Sequence, residues 1–179
     1  MNPARRLTPA QENSLAIAAA VVTANAYYIH PIIALVADHF GVSHARIGLV
    51  PALNQLALAV GIFLLLPLGD RYSNRRLTIL FASGQTVSLA LMTLASGFGA
   101  FVLGSTLLGF FTIAPYLLPA YASKRVAPER LGQVTAKLTA GVILGILVAR
   151  VGAGVIAEHF GWRAVYWIAT GLMLAITVA

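Results

Sequence analysis

"PLGDRYSNRR", residues 67–76, places one acid and three arginines between two long apolar runs. Asp70, Arg71, Arg75 and Arg76 stand out because the whole chain is only 9% charged and 59% hydrophobic. Soluble domains carry about 25% charged residues, so this chain has too few to cover a water-facing surface. The runs on either side, 47–69 and 76–97, are long enough to cross a hydrocarbon core of about 30 Å. The stretch is therefore a short polar turn between two membrane helices. Its reading sets the fold class: all-α, integral to a membrane, with the lipid bilayer as its first partner.

Working outward from that turn, six apolar segments are predicted: 14–36, 47–69, 76–97, 99–122, 134–157 and 162–179. Residues 1–13 form an N-terminal segment, 14–97 a first three-helix unit, and 98–179 a second. The last helix reads as cut at or before its end. The first run is too long for a secretory signal and shows no small-residue cleavage site. Before it, Thr8, Pro9 and Gln11 fit the N-cap, N1 and N3 positions of a capping box.

The basic residues set the orientation. Arg5, Arg6, Arg71, Arg75, Arg76, Lys124, Arg125 and Arg130 fall on one side of the predicted membrane, and Arg46 and Arg163 on the other. Cytoplasmic loops carry the excess of Lys and Arg, so the N-terminus is expected in the cytoplasm. The same clustering accounts for the net charge of +7 without a nucleic-acid partner. There is no cysteine, which excludes disulfides and thiol chemistry. The histidines form no ligand-spaced pair, and no phosphate-binding loop occurs. No catalytic residue, metal or cofactor is expected, and the protein is not expected to be an enzyme.

Two pairs of stretches suggest an internal repeat. "VSHARIGLV" (42–50) matches "VAPERLGQV" (126–134) at an offset of 84. "GDRYSNRR" (69–76) matches "AEHFGWRA" (157–164) at an offset of 88, aligning Asp70 with Glu158 and Arg75 with Arg163. Three helices per unit is an odd number, so the second unit enters the membrane upside down. Inverted three-helix repeats are a signature of secondary transporters.

With these residues on the page, "LPLGDRYSNRRL" resembles the signature loop between helices 2 and 3 of the major facilitator superfamily. Leu68, Asp70, Arg71, Arg75 and Arg76 carry the likeness; Leu66 and Ser73 stand where that loop has glycines. "GVILGILVARVGAGVIAEHFGWRAVYWI" (141–168) and "LLPAYASKRVAPERLGQV" (117–134) resemble helix 5 with its following loop, and the loop before it, in prokaryotic efflux-type members. The likeness covers nearly the whole chain. It implies the N-terminal six-helix half of a twelve-helix transporter, needing a second six-helix half from the same gene or a separate chain. It also implies helix 1 lining a cavity and helix 5 at the seam between halves. Two antiporter features are missing: Ser105 stands where an arginine is expected, and Ile146 where a proline is.

The residues expected to act divide into three groups. Asp70, Arg71, Arg75 and Arg76 form a conformational gate. Arg150, His30, Asn25, Tyr28, Gln55 and Tyr116 are candidates for contact with substrate or coupling ion. A charge inside a membrane helix costs at least a few kcal/mol without a partner or water, which makes Arg150 the most informative of them. His30 is a candidate for proton coupling. The bland alternatives are an arginine snorkelling to the interface and a histidine in helix packing. Gln85 reads as interhelical hydrogen-bonding glue. Gly141, Gly145, Gly152 and Gly154 form a helix-packing seam, which the resemblance places against the second half. Pro115 and Pro119 predict a kink in helix 4. The expected function is ion-gradient-coupled efflux of small organic molecules, with protons the expected ion, in a prokaryotic inner membrane. The alternative is a transport-inactive membrane fragment or an assembly module that requires a partner half.

Overall fold

The computed structural model describes residues 7–178, and the backbone alone of Asp70, Asn74 and Ala120. Arg5 and Arg6, used above for orientation, lie outside the described residues. The described residues form helices and no strand. They are α1 (Pro9–Ala24), α2 (Ile29–Phe40), α3 (His44–Ile47), α4 (Leu49–Leu65), α5 (Leu68–Arg71), α6 (Asn74–Leu94), α7 (Phe98–Phe111), α8 (Ala114–Ser123), α9 (Pro128–Phe160) and α10 (Trp162–Val178). Five stretches are long and apolar enough to cross a membrane: Pro9–Phe40, His44–Leu65, Arg75–Leu94, Phe98–Ser123 and Pro128–Phe160. The α10 helix is apolar and shorter, at 17 residues.

Local chemistry explains the helix starts. The Thr8 hydroxyl accepts from the Gln11 N–H at 3.3 Å, and the Gln11 side chain accepts from the Thr8 N–H at 3.0 Å. This is the expected capping box, with Pro9 in the first turn. At its far end α2 stops at Gly41, whose φ of 61° is a left-handed conformation that glycine adopts without Cβ strain.

Two of the long spans are broken, and proline is the reason in both. Pro31 has no N–H to give to the Tyr27 carbonyl one turn before it. That carbonyl instead takes the His30 N–H at 3.4 Å and the His30 Nδ1 at 3.2 Å, and α1 parts from α2 across 25–28. Pro115 likewise leaves the Phe111 carbonyl without its helical donor. The Ile113 N–H takes its place at 2.8 Å, and α7 parts from α8 at Thr112 and Ile113. The kink expected at Pro115 thus falls nearly a turn upstream of it. The break in the first span was not foreseen.

The spans are held together by backbone approach. Helix α1 runs along α9, α4 along α7, and α6 lies against α7 and α10. Gly141 and Gly145 face the α1 backbone at Ala16 and Ala20; a Cβ built on Gly145 would stand 2.7 Å from the Ala20 Cα. Gly109 meets the Asn54 backbone in the same way, across α7 and α4. Bare glycines let helix backbones touch where lipid supplies no hydrophobic drive. At the end remote from the N-terminus, Phe101 packs edge to face with Trp162 and Tyr166, and Phe40 lies tilted against Phe101 and Trp162. Arg163 closes that end of α6. Its guanidinium donates to the Thr93 carbonyl at 3.2 Å and the Ala95 carbonyl at 2.8 Å, which the helix terminus leaves without internal donors.

Candidate functional site

A buried polar relay joins the two breaks. Asn25 Nδ2 donates to Gln85 Oε1 at 3.0 Å, and Gln85 Nε2 donates to Thr112 Oγ1 at 2.8 Å. The Thr112 hydroxyl then donates to the Leu108 carbonyl at 2.7 Å. Asn25 is 2% exposed and Gln85 0%. One amide on α6 therefore fixes the relative position of the breaks in the first and fourth spans. Gln85 has the interhelical role its sequence context implies. Asn25, a candidate for substrate contact, turns inward to Gln85, while its Oδ1 is buried without a hydrogen-bond partner.

Around the first break lie two half-buried rings and an exposed cation. Tyr27 and His30 stack, centroids 5.6 Å apart and planes at 24°. The Arg150 guanidinium reaches across from α9 to sit 5.8 Å from the Tyr27 ring centroid. Tyr116 lies on α8 and is 46% exposed. Among the described residues Arg150 makes no ion pair. It lies about 15 Å before the end of α9 at Phe160, well inside the span. The structure thus brings Arg150 and His30 together around Tyr27. Tyr28 instead borders an apolar cleft of about 300 Å³ with Leu144, Val148, Gly152 and Ile168. Gln55 is exposed on α4.

At the opposite end of the first span sits an ion cluster that sequence reasoning missed. The Glu12 carboxylate, 3% exposed, takes both oxygens' hydrogen bonds from Arg130 Nη2 at 3.0 and 3.2 Å, with Lys137 Nζ at 3.7 Å. An acid in the first turn of an apolar helix was the available signal; its partners lie at the start of α9. The cluster clamps α1 to α9 near the N-terminus. Because Arg130 and Lys137 remain about half exposed (48% and 41%), solvent weakens the pair. Glu12→Gln in the full-length protein is expected to cost about 1 kcal/mol and lower its melting temperature by a few degrees. A thermal-shift measurement in detergent checks this.

The gate residues fall on α5 and the start of α6. Arg71, Arg75 and Arg76 are exposed; the side chain of Asp70 lies outside what the structure describes, and its backbone is in α5. The four seam glycines separate into two pairs. Gly141 and Gly145 meet α1 of this same chain, Gly152 has open space beside it, and Gly154 meets Pro31 at 3.8 Å.

Stacked apolar spans, two of them broken and tied through one buried amide, define a polytopic helical membrane protein. Residues 15–179 match the Major Facilitator Superfamily, and the chain belongs to that superfamily. It is 34% identical to the uncharacterized transporter YgaY of Escherichia coli O157:H7 over 99% of its length, covering 45% of that relative. It is 30% identical to a protein named "Probable transporter SCO4007" in Streptomyces coelicolor, over 85% of this chain and 35% of the relative. The chain therefore spans less than half the length of these curated relatives.

Proposed function

We propose that the chain is the N-terminal half of a secondary transporter that exports small organic molecules by alternating access, driven by an ion gradient. The observation that carries this reading is the pair of broken spans. Their prolines, Pro31 and Pro115, are separated by 84 residues, the offset of the first pair of matching stretches. Breaks at corresponding places in two units are the pointer to a binding region in transporters built from inverted repeats. Here the first break lies beside the Arg150 group, and Gln85 ties it to the second. This supports two inverted three-helix units rocking as one body against a second half. Protons are the proposed coupling ion, with His30 the proposed coupling residue. The N-terminus faces the cytoplasm of a prokaryotic inner membrane, where the basic residues hold the α5 loop inside.

In this reading Asp70, with Arg71, Arg75 and Arg76, latches the cytoplasmic side when the protein faces outward. The experiment is solute flux in inverted vesicles carrying the full-length protein, with Asp70→Asn as the variant. Transport is expected to fall at least about fivefold at unchanged protein level, corresponding to about 1 kcal/mol. Wild-type flux in Asp70→Asn overturns the gating role. Absence of any solute flux in the wild type, across a broad panel of small organic molecules, overturns transport itself.

A further inference from the structure

We propose that the group around Tyr27 is an anion-recognition site, and that the ligand it takes is a small aromatic carboxylate. This rests on the transport reading for its purpose, but its chemistry stands on the residues alone. A guanidinium inside a membrane span stays charged and requires an anion or water. Among the described residues Arg150 has no acid partner, only the face of Tyr27 at 5.8 Å. The planar, forked donors of arginine match the two oxygens of a carboxylate.

The neighbours fit the rest of such a ligand. His30 Nδ1 is engaged with the Tyr27 carbonyl at 3.2 Å, so Nε2 is the free nitrogen, and on protonation it becomes a second donor. The stacked Tyr27 and His30 rings offer flat faces, to which an aromatic body packs in offset or edge-on geometry. Cation, second donor and rings come from the 25–28 break, α2 and α9, so they form one site only in the folded protein. Among the described residues a cationic drug finds no counter-charge there.

The test is binding of radiolabelled benzoate, phenylacetate and phenylpyruvate to the full-length protein in nanodiscs, with benzamide and benzylamine as neutral and cationic competitors. At least one carboxylate is expected to bind, and neither competitor to displace it at equal concentration. Arg150→Gln is expected to weaken binding at least about tenfold, and Arg150→Lys to weaken it less. Both variants are first checked for a monodisperse elution profile, and Arg150→Lys keeps the proposal testable if Arg150→Gln misfolds. No carboxylate binding above that of benzamide overturns the site. So does carboxylate binding unchanged in Arg150→Gln, which assigns Arg150 to an acid elsewhere in the full-length protein. Protein that binds benzoate through Arg150 but moves no solute overturns the transport reading and leaves the site standing. Flux of neutral or cationic solutes alone, at wild-type rate in Arg150→Gln, does the reverse.

Discussion

Replacing Gly145 by valine is expected to break the α1–α9 crossing and cost about 3 kcal/mol or more, enough to lower the melting temperature of the full-length protein by several degrees or to stop its accumulation. Valine is the better helix former by a few tenths of a kcal/mol, so intrinsic propensity favours the substitution and only packing opposes it. The packing term is larger because the obstacle is rigid. A Cβ on Gly145 meets the Ala20 Cα at 2.7 Å and its carbonyl carbon at 2.8 Å. These are backbone atoms of a helix, which cannot swing aside like the end of a side chain. The two helices must separate along their length, and the Glu12–Arg130 pair and the Arg150–Tyr27 approach bridge that same gap. Gly152→Val on the same helix is the control, since nothing lies within 4 Å of a Cβ there. It is expected to leave stability near wild type. In the complete transporter, a loss of flux without a loss of stability in Gly152→Val would mark that face of α9 as the seam with the second half. Thermal melting and flux measured side by side on the two variants separate these outcomes.

The contrast between the two glycines shows where sequence legibility ended. Gly141xxxGly145 was readable as a close-approach motif, but the partner was not, because a glycine stripe states that a backbone comes near without stating whose. Resemblance suggested the second half; the structure gives Gly141 and Gly145 a neighbour in α1. The membrane segments were legible because hydropathy and length are local, and the Thr8 box because capping lies within one turn. Glu12 was missed because its partner Arg130 is 118 residues away and nothing local marks an acid as buried. The break at Tyr27 was missed although Pro31 was visible. A proline disturbs the carbonyl four residues before it, and the unwound residues therefore carry no unusual composition. Asn25 illustrates a different limit. An amide in a membrane helix reads equally as a ligand contact or as glue, and only the arrival of Gln85 from α6 decides between them.

Gln85→Leu tests that decision and is expected to cost about 1–3 kcal/mol through Asn25. Two hydrogen bonds vanish with the amide, yet they are not equal losses. Thr112 keeps its bond to the Leu108 carbonyl and loses only an incoming donor. Asn25 loses its sole partner for Nδ2, with Oδ1 already unpaired, so a whole amide is stranded in a region that is 2% exposed. Interhelical hydrogen bonds in membranes average only about 0.6 kcal/mol when both partners can be resatisfied; the larger figure applies here because burial denies Asn25 an alternative. It follows that Asn25→Leu combined with Gln85→Leu is expected to be more stable than Gln85→Leu alone, since the second change removes the stranded group. A double-mutant cycle by thermal unfolding measures this directly, and additive losses would show that the relay is not a unit. Function is expected to diverge from stability in the same pair. The double variant regains packing but leaves the breaks at 25–28 and Thr112 untied, so they no longer move together. Flux is then expected to stay low in a protein that melts near the wild-type temperature. Recovery of both would mean that the amide holds the fold and does not couple the two breaks.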